Sequence, residues 1–158
     1  MALGIAKYGQ VAGPETNLEF EVGASTIFKH LGGAFVQIDA NQRVIIAVAG
    51  VLDIIGWAFT GDFTASSTAG NTKVSVNINK EAVYEMPIDT ARTETQLKAL
   101  VGSTCDIIVT SDIQYADFDA STNDILQIVG YRYYGSALGE QTLLVKLYQK
   151  NLVFAGVV

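Results

Sequence analysis

Two residues that occur once each in this 158-residue chain, His30 and Cys105, are the first candidates for catalysis. A Ser–His–Asp site needs a histidine hydrogen-bonded to both partners, and no G-x-S-x-G or equivalent motif surrounds any serine. Cys105 follows an alternating pattern beside Asp106, whose carboxylate opposes formation of a thiolate. Cys105 is therefore predicted to be a small buried side chain. The sequence predicts no catalytic residue and a protein that is not an enzyme.

An acidic segment, Asp117–Asp124, reads D-F-D-A-S-T-N-D and alternates oxygen-bearing side chains as calcium loops do. An EF-hand loop requires glycine at its sixth position and glutamate at its twelfth. Those positions hold Thr122 and Ile128, which excludes an EF-hand. A looser calcium site and a plain Asx turn between two strands both remain open, and the turn is favoured. We predict no bound metal and no cofactor.

A tyrosine cluster follows Gly130, with Arg132 between Tyr131 and the pair Tyr133 and Tyr134. Such rings can stack on sugars or bases. Tyrosine and arginine are also enriched where proteins meet, and aromatic side chains often pack within a sheet. A protein interface or core packing is favoured over carbohydrate, and nucleic acid is the least favoured ligand.

The charge content of the chain is low. Charged residues make up 16% of it, where about 25% is typical, and hydrophobic residues make up 49%. A lone monomer needs charge on its surface, so this composition favours a subunit of an assembly over a compact monomer with an uncharged polar exterior. The net charge of −6 and the scattered basic residues argue against nucleic-acid binding. The most apolar run, residues 44–55, is interrupted by Gly50 and Asp53, so we predict no membrane span.

Alternating apolar and polar residues predict an all-β fold, a β-sandwich or β-barrel, with one short helix and an extended N-terminal arm. The predicted strands are Asn17–Val22, Ala34–Asp39, Arg43–Ala49, Val51–Thr60, Lys73–Asn79, Ala82–Ile88, Thr104–Thr110, Ile125–Gly130, Thr142–Gln149 and Leu152–Val158. Thr93 and Gln96 form a capping-box pattern that begins a helix over 93–101, and Gly102 ends it. Gly56 predicts a bulge or a bend, and Pro87 a strand end or sheet edge.

The chain is divided into an extended arm, residues 1–16, and a single β-rich domain, residues 17–158. Two surfaces are predicted to bind partners: the apolar side chains of the arm, and the uncharged C-terminal segment together with the tyrosine cluster. The predicted contact residues are Leu3, Ile5, Tyr8, Val11, Tyr131, Tyr133, Tyr134, Leu152 and Phe154.

Several segments resemble the small capsid decoration (cement) proteins of tailed bacteriophages. They are I-G-W-A at 55–58, the loop 64–72, V-Y-E-M-P-I at 83–88, G-S-T-C-D-I at 102–107 and the stretch from Ile113 to Gly130. The resemblance covers about residues 50–130 and extends loosely to the remainder. The C-terminal L-V-F has no counterpart in it.

The resemblance implies a β-rich structural protein of the virion that binds the outer surface of an assembled phage head and stabilises it. Its partners would be the major capsid protein and copies of itself, with a trimer as the expected oligomer. It would be made in the host cytoplasm and end on the capsid surface. The alternatives are a carbohydrate- or receptor-binding β module of a tail or fibre, and another structural component of head or tail.

Overall fold

The computed structural model describes residues 9–29, 32–51, 54–119 and 123–148. Within these residues the chain forms thirteen β-strands, one short α-helix and a 3-10 helix at Leu138–Glu140. The predicted all-β class with one short helix is confirmed. The strands build two antiparallel sheets and a separate two-stranded ribbon.

The larger sheet contains six strands. Across the sheet they are β1 (Gly9–Ala12), β9 (Val83–Pro87), β13 (Gln141–Leu147), β12 (Leu126–Tyr133), β10 (Thr104–Thr110) and β11 (Ile113–Asp117). The sheet curls, because Ala116 of its last strand forms a parallel bridge with Ile88, directly after β9. Pro87 is the last residue of its strand, as the sequence predicts.

The smaller sheet contains five strands, and the ribbon two. Across the sheet they are β2 (Asn17–Glu21), β8 (Lys73–Asn77), β6 (Ile54–Phe59), β4 (Ala34–Ile38) and β5 (Val44–Ile46). The ribbon pairs β3 (Ile27–Phe28) with β7 (Phe63–Thr64). This sheet curls too, since Val22 at the end of β2 bridges Val44 of β5.

Two apolar cores lie on the two faces of the smaller sheet. The first core joins it to the larger sheet, where Trp57 stacks on Tyr84 at 4.6 Å and meets the edge of Phe35 at 4.8 Å. The second core lies beneath the ribbon, where Phe28 stacks on Phe63. Strand β6 lies between the two cores and is apolar on both sides.

The helix, α1 (Glu94–Leu100), begins and ends where the sequence predicts. Thr93 accepts a hydrogen bond from the backbone N–H of Gln96, and the Gln96 side chain accepts one from the backbone N–H of Thr93. Gly102 follows the helix with φ of +95°, a conformation that favours glycine. Leu97 anchors the helix in the first core. No helix of the described residues is long and apolar enough to cross a membrane.

Gly56 lies at the predicted bulge. Val36 pairs with Gly56 while Gln37 pairs with Ile54, so one extra residue of β6 is accommodated between them. A Cβ atom at position 56 would collide with the backbone carbonyl oxygen of Asn77 on the neighbouring strand. Glycine is therefore required for the close approach of β6 and β8.

The structure also contains strands that the sequence patterns did not predict. β3 and β7 are two residues long, and β11 directly precedes the segment Asp117–Asp124, which was predicted to be a turn. Gly9–Ala12, which the sequence placed in the arm, pairs with β9 at the edge of the larger sheet. Residues 1–8 lie outside the described part of the chain, so the arm itself stays a prediction.

Candidate functional site: surfaces for protein contact

An apolar groove of about 300 Å³ lies between the ribbon, strand β5 and the turn after β10. The side chains that line it are mostly aliphatic: Ile27, Ile45, Ile46, Val48 and Val109, with Ser25, Thr26 and Asp112 at its margin. Val48 is 46% exposed and Ile27 is 37% exposed. A cluster of aliphatic side chains open to water is typical of a surface that another protein covers. We call it the aliphatic groove.

The turn at the margin of the aliphatic groove is tight. Ser111 and Asp112 both have positive φ, +52° and +64°, as in the two-residue turns that connect twisted antiparallel strands. The turn brings Val109 into the groove. The hairpin of β10 and β11 thus forms one wall of the aliphatic groove. The groove forms only when the hairpin is held in this position.

Gln114 fixes that hairpin on the smaller sheet. Its side-chain oxygen accepts a hydrogen bond from the N–H of Phe35 (2.9 Å). Its side-chain nitrogen donates to the carbonyl oxygens of Phe35 and Ala47, both at 2.8 Å. Gln114 is almost fully buried, so these bonds form out of reach of water. The amide thereby ties strand β11 to the backbone of β4 and to the residue after β5.

Asn77, the last residue of β8 in the smaller sheet, has a similar role. Its side-chain oxygen accepts from the N–H groups of Thr16 (2.9 Å) and Asn79 (3.0 Å). Its side-chain nitrogen donates to the Gln10 side chain (3.0 Å) and to the carbonyl of Pro14 (3.2 Å). All four hydrogen bonds of the amide are made by a side chain with no exposed surface. Asn77 thus holds the connection between β1 and β2 against the domain.

A buried carboxylate lies on β9 of the larger sheet. The side chain of Glu85 is 2% exposed and accepts hydrogen bonds from Arg132 and from the hydroxyl of Thr142, both at 2.7 Å. These three residues link three adjacent strands, β9, β13 and β12. A carboxylate removed from water is tolerated because both its oxygens have a donor.

Removing the cation from this group is expected to destabilise the fold. Arg132→Met should lower the free energy of unfolding by about 2 kcal/mol, since it leaves the buried Glu85 carboxylate without its charged partner. This value is below that for a fully buried pair because Arg132 is partly exposed. Urea denaturation at neutral pH measures it. The double variant Glu85→Leu/Arg132→Met, which removes both charges, should recover part of the loss, and a double variant less stable than Arg132→Met would contradict this account.

The structure separates the members of the tyrosine cluster. Tyr131 and Tyr133 are partly buried against the first core, while Arg132 points to the opposite face of the sheet. The Tyr131 hydroxyl lies 3.4 Å from Glu94 of the helix. Tyr134 is the outward member, with 61% exposure. The three rings do not share one exposed face, so Tyr134 is the one best placed to meet a partner.

The remaining predicted contact residues divide between described and undescribed parts of the chain. Val11 lies at an irregularity of β1, where the pairing with β9 shifts, and is 37% exposed. Leu3, Ile5, Tyr8, Leu152 and Phe154 lie outside the described residues, as does His30.

Cys105 is fully buried in the first core, which confirms its prediction as a small core residue. Burial raises the pKa of its thiol, and the carboxylates of Asp106 and Asp117 raise it further. A thiol in such surroundings stays protonated at neutral pH and is a poor nucleophile.

The acidic residues of the predicted turn each have a partner within the domain. Asp119 forms an ion pair with Arg92, in which one guanidinium nitrogen lies 2.8 and 3.0 Å from the two carboxylate oxygens. Asp124 accepts a hydrogen bond from the hydroxyl of Thr104 (2.6 Å). Asp117 accepts one from the N–H of Asp119, which is an Asx turn. Residues 120–122 lie outside the described part, and among the described residues no group of three acidic, histidine or cysteine side chains is placed to hold a metal ion.

Sequence reasoning missed the residues that shape these surfaces. Gln114 and Asn77 carry no motif, and the groove is assembled from elements far apart in the chain. The one available signal was the apolar run 44–49, whose end, Val48, supplies an exposed wall of the groove.

Comparison with known proteins gives no family assignment: no protein-family model matches the chain, and a search of curated proteins found no significant match.

Proposed function

We propose that this protein is a structural component of a phage virion, a decoration protein that binds the outer surface of the head through protein–protein contacts. The observation that carries the proposal is the aliphatic groove, an apolar surface with five aliphatic side chains on an otherwise well-packed β domain. The resemblance of residues 50–130 to decoration proteins supports the head surface as the partner in this proposal. The low charge content supports a role as a subunit of an assembly.

The groove is suited to binding rather than to chemistry. Asp112 is its one charged lining residue, and the other polar groups are the small side chains of Ser25 and Thr26. An apolar site of this kind binds by removing aliphatic surface from water, at roughly 25 cal/mol per Å². Each contact is modest, but a particle surface presents many sites at once, and linked weak contacts give strong overall attachment.

Rebinding to empty heads tests the proposal. Purified protein is expected to sediment with heads from which it has been stripped, and Val48→Asp should weaken that binding about tenfold or more, since it places a charge in the groove. Val101→Asp is the matched control, because Val101 is similarly exposed (44%) but lies at the end of the helix, away from the groove.

Two outcomes would contradict the proposal in different ways. Failure of the unaltered protein to bind heads would remove the decoration role. Equal binding by Val48→Asp and Val101→Asp would remove the groove from it. A deletion of residues 1–8 tests the predicted arm separately, and it leaves intact β1, which begins at Gly9.

A further inference from the structure

Three carboxylates lie next to one another at the place where the larger sheet curls onto itself. Asp106 of β10 is paired directly with Asp117 of β11. Ala116 of β11 forms the parallel bridge with Ile88, and the next residue on each side of that bridge is an aspartate, Asp117 and Asp89. Like charges that face each other across strands oppose pairing. We call Asp106, Asp117 and Asp89 the carboxylate row.

The carboxylate row lies on the face of the larger sheet that is turned away from the first core. Ile107 and Ala116, which are paired with each other, are buried in that core. Side chains alternate between the two faces of a strand, so Asp106 and Asp117 lie on the other face. Asp106 is 5% exposed, and Asp117 and Asp89 are half-buried. Water therefore screens the charges of the row only in part.

The members of the carboxylate row differ in their hydrogen bonds. Both oxygens of Asp106 lie 3.3 Å from the N–H of Asn123, and Asp117 accepts from the N–H of Asp119 at 3.2 Å. Oδ1 of Asp89 is buried and has no hydrogen-bond partner among the described residues. A buried oxygen without a donor opposes the charged form of its carboxyl group. Asp89 is therefore the member of the row that gains most from a proton.

The charges that face Asp89 come from two sides. β11 and the segment after it bring Asp117 and Asp119, and the segment between β9 and the helix brings Arg92. Burial raises the pKa of the Asp89 carboxyl group above its ordinary value, and the negative charges of Asp117 and Asp119 raise it further. Its own backbone N–H and Arg92 oppose this rise without cancelling it.

Arg92 does not neutralise the carboxylate row, because it is paired with Asp119. One of its guanidinium nitrogens lies 2.8 and 3.0 Å from the two oxygens of Asp119. The guanidinium group also lies over the ring of Phe118, 4.9 Å from the ring centre. The charge of Arg92 thus acts first on Asp119, outside the row.

The surroundings of Cys105 show how many carboxylates gather around this part of β10. Burial raises the pKa of its thiol, and four carboxylates raise it further: Asp106, Asp117, Asp124 and Asp89. The charged groups near the bridge, within the described residues, are thus these four, Asp119 and Arg92. Negative charge is in excess there at neutral pH.

We propose that Asp89 and Asp117 form a proton-dependent clasp, which joins the end of β9 to β11 more firmly when Asp89 carries a proton. The proton comes from the solvent and binds the Asp89 carboxylate, whose O–H becomes a hydrogen-bond donor. Repulsion beside the bridge of Ile88 and Ala116 falls in the same step. The β10–β11 hairpin is therefore held onto β9 more firmly in acidic solution than at pH 7. The clasp is a property of the domain itself and does not depend on the proposed function.

Asp89→Asn tests the clasp, because asparagine has nearly the shape of the protonated carboxyl group and carries no charge. Urea denaturation at pH 7 should give this variant a midpoint about 0.5 M higher than that of the unaltered protein. Near pH 4 the two midpoints should agree. The gap should open as the pH rises from the unfolded-state pKa of Asp89, about 3.9, toward its higher folded-state pKa, and level off above it.

Two further variants serve as controls. Asp62→Asn makes the same change of charge at an exposed position before β7, and its midpoint should stay within about 0.1 M of the unaltered protein at both pH values. Asp117→Asn keeps an acceptor for the N–H of Asp119 but removes the charge beside Asp89. It should also raise the midpoint at pH 7, and combining it with Asp89→Asn should add less than the sum of the two shifts.

Amide hydrogen exchange locates the effect in the structure. At pH 7 the amides of β11 should exchange about fivefold more slowly in Asp89→Asn than in the unaltered protein, because the hairpin opens less often. The amides of β8, in the smaller sheet, are the internal reference and should exchange equally in both proteins. The two proteins are compared at the same pH, since the exchange chemistry itself depends on pH.

The proposal is overturned if the midpoint of Asp89→Asn at pH 7 does not exceed those of the unaltered protein and Asp62→Asn, or if Asp89→Asn does not fold. It is also overturned if the gap between Asp89→Asn and the unaltered protein is the same at pH 4 and pH 7. Equal slowing of exchange in β11 and β8 would mean that the charge acts on the whole domain, and would likewise refute the clasp. These measurements contain no phage heads, so each of these results leaves the proposed function intact.

Discussion

Replacing Asn77 with alanine is expected to lower the free energy of unfolding by about 3 kcal/mol. The substitution removes four hydrogen bonds at once, and it leaves the N–H groups of Thr16 and Asn79 without their acceptor. An unpaired buried group costs roughly 1–3 kcal/mol. Pro14 and Gln10, which lie nearer the surface, can turn to water and recover part of the loss. The expected cost therefore corresponds to about two unpaired buried groups rather than to four.

Urea denaturation followed by tryptophan fluorescence measures this effect. The single tryptophan, Trp57, lies on β6 of the smaller sheet and is buried in the first core, so its fluorescence reports unfolding. Asn71→Ala is the matched control: Asn71 is exposed in the loop before β8 and should change stability by less than about 0.5 kcal/mol. The midpoint should fall for Asn77→Ala with an unchanged slope. A shift no larger than that of Asn71→Ala would show that water replaces the amide.

Asn77 shows why the sequence predicts strands better than it predicts their surroundings. In K-V-S-V-N-I-N the alternation correctly places Val74 and Val76 on one face and assigns Asn77 to the opposite face, with Lys73 and Ser75. The pattern reads that face as exposed to water. Lys73 and Ser75 are exposed, but Asn77 is fully buried, because the chain between β1 and β2 folds over the end of the strand. A local pattern cannot show that a segment about sixty residues earlier in the chain packs over Asn77.

The helix and the bulge were predictable because their causes are local. The Thr93–Gln96 capping box lies within four residues. Gly56 has no side chain to pack within a strand, so a glycine at this position indicates an irregularity of the strand. Strand β11 was not predictable in the same way. It pairs with β10 through a tight turn formed by Ser111 and Asp112, neither of them the glycine that marks such turns in a sequence.

The aliphatic groove was not predicted, since it depends on how distant elements meet. The aliphatic groove joins the ribbon, β5 and the β10–β11 turn, and none of these shows an interaction motif. The uncharged C-terminal segment, which the sequence predicts to bind a partner, lies outside the described residues.

Replacing Gln114 with glutamate is expected to cost about 3 kcal/mol at neutral pH, although the two side chains have nearly the same shape. The glutamine nitrogen donates to the carbonyl oxygens of Phe35 and Ala47, both at 2.8 Å. A carboxylate there has no proton to donate, and it faces two acceptors in a buried site. Loss of two donated bonds and burial of a charge both oppose folding.

The cost should depend on pH in a defined direction. Burial beside two carbonyls favours the protonated form, so the introduced carboxyl group has a higher pKa in the folded state than in the unfolded chain, where it is about 4.3. The deficit of Gln114→Glu relative to the unaltered protein should therefore be smallest near pH 4, grow as the pH rises from the unfolded-state pKa toward the folded-state pKa, and level off above it. Parallel urea titrations at several pH values measure the difference between the two proteins.

Gln114→Leu separates charge from hydrogen bonding. It leaves the N–H of Phe35 without its acceptor and the carbonyl of Ala47 without the Gln114 donor, while the carbonyl of Phe35 still accepts from the N–H of Ala47. Its cost should not change with pH relative to the unaltered protein. Under the proposed function, both variants should weaken binding of empty heads, because the hairpin that Gln114 holds supplies Val109 to the aliphatic groove. If Gln114→Glu shows the same stability difference at pH 4 and pH 7, its carboxyl group is reached by water, and the amide does not fix the hairpin to the smaller sheet.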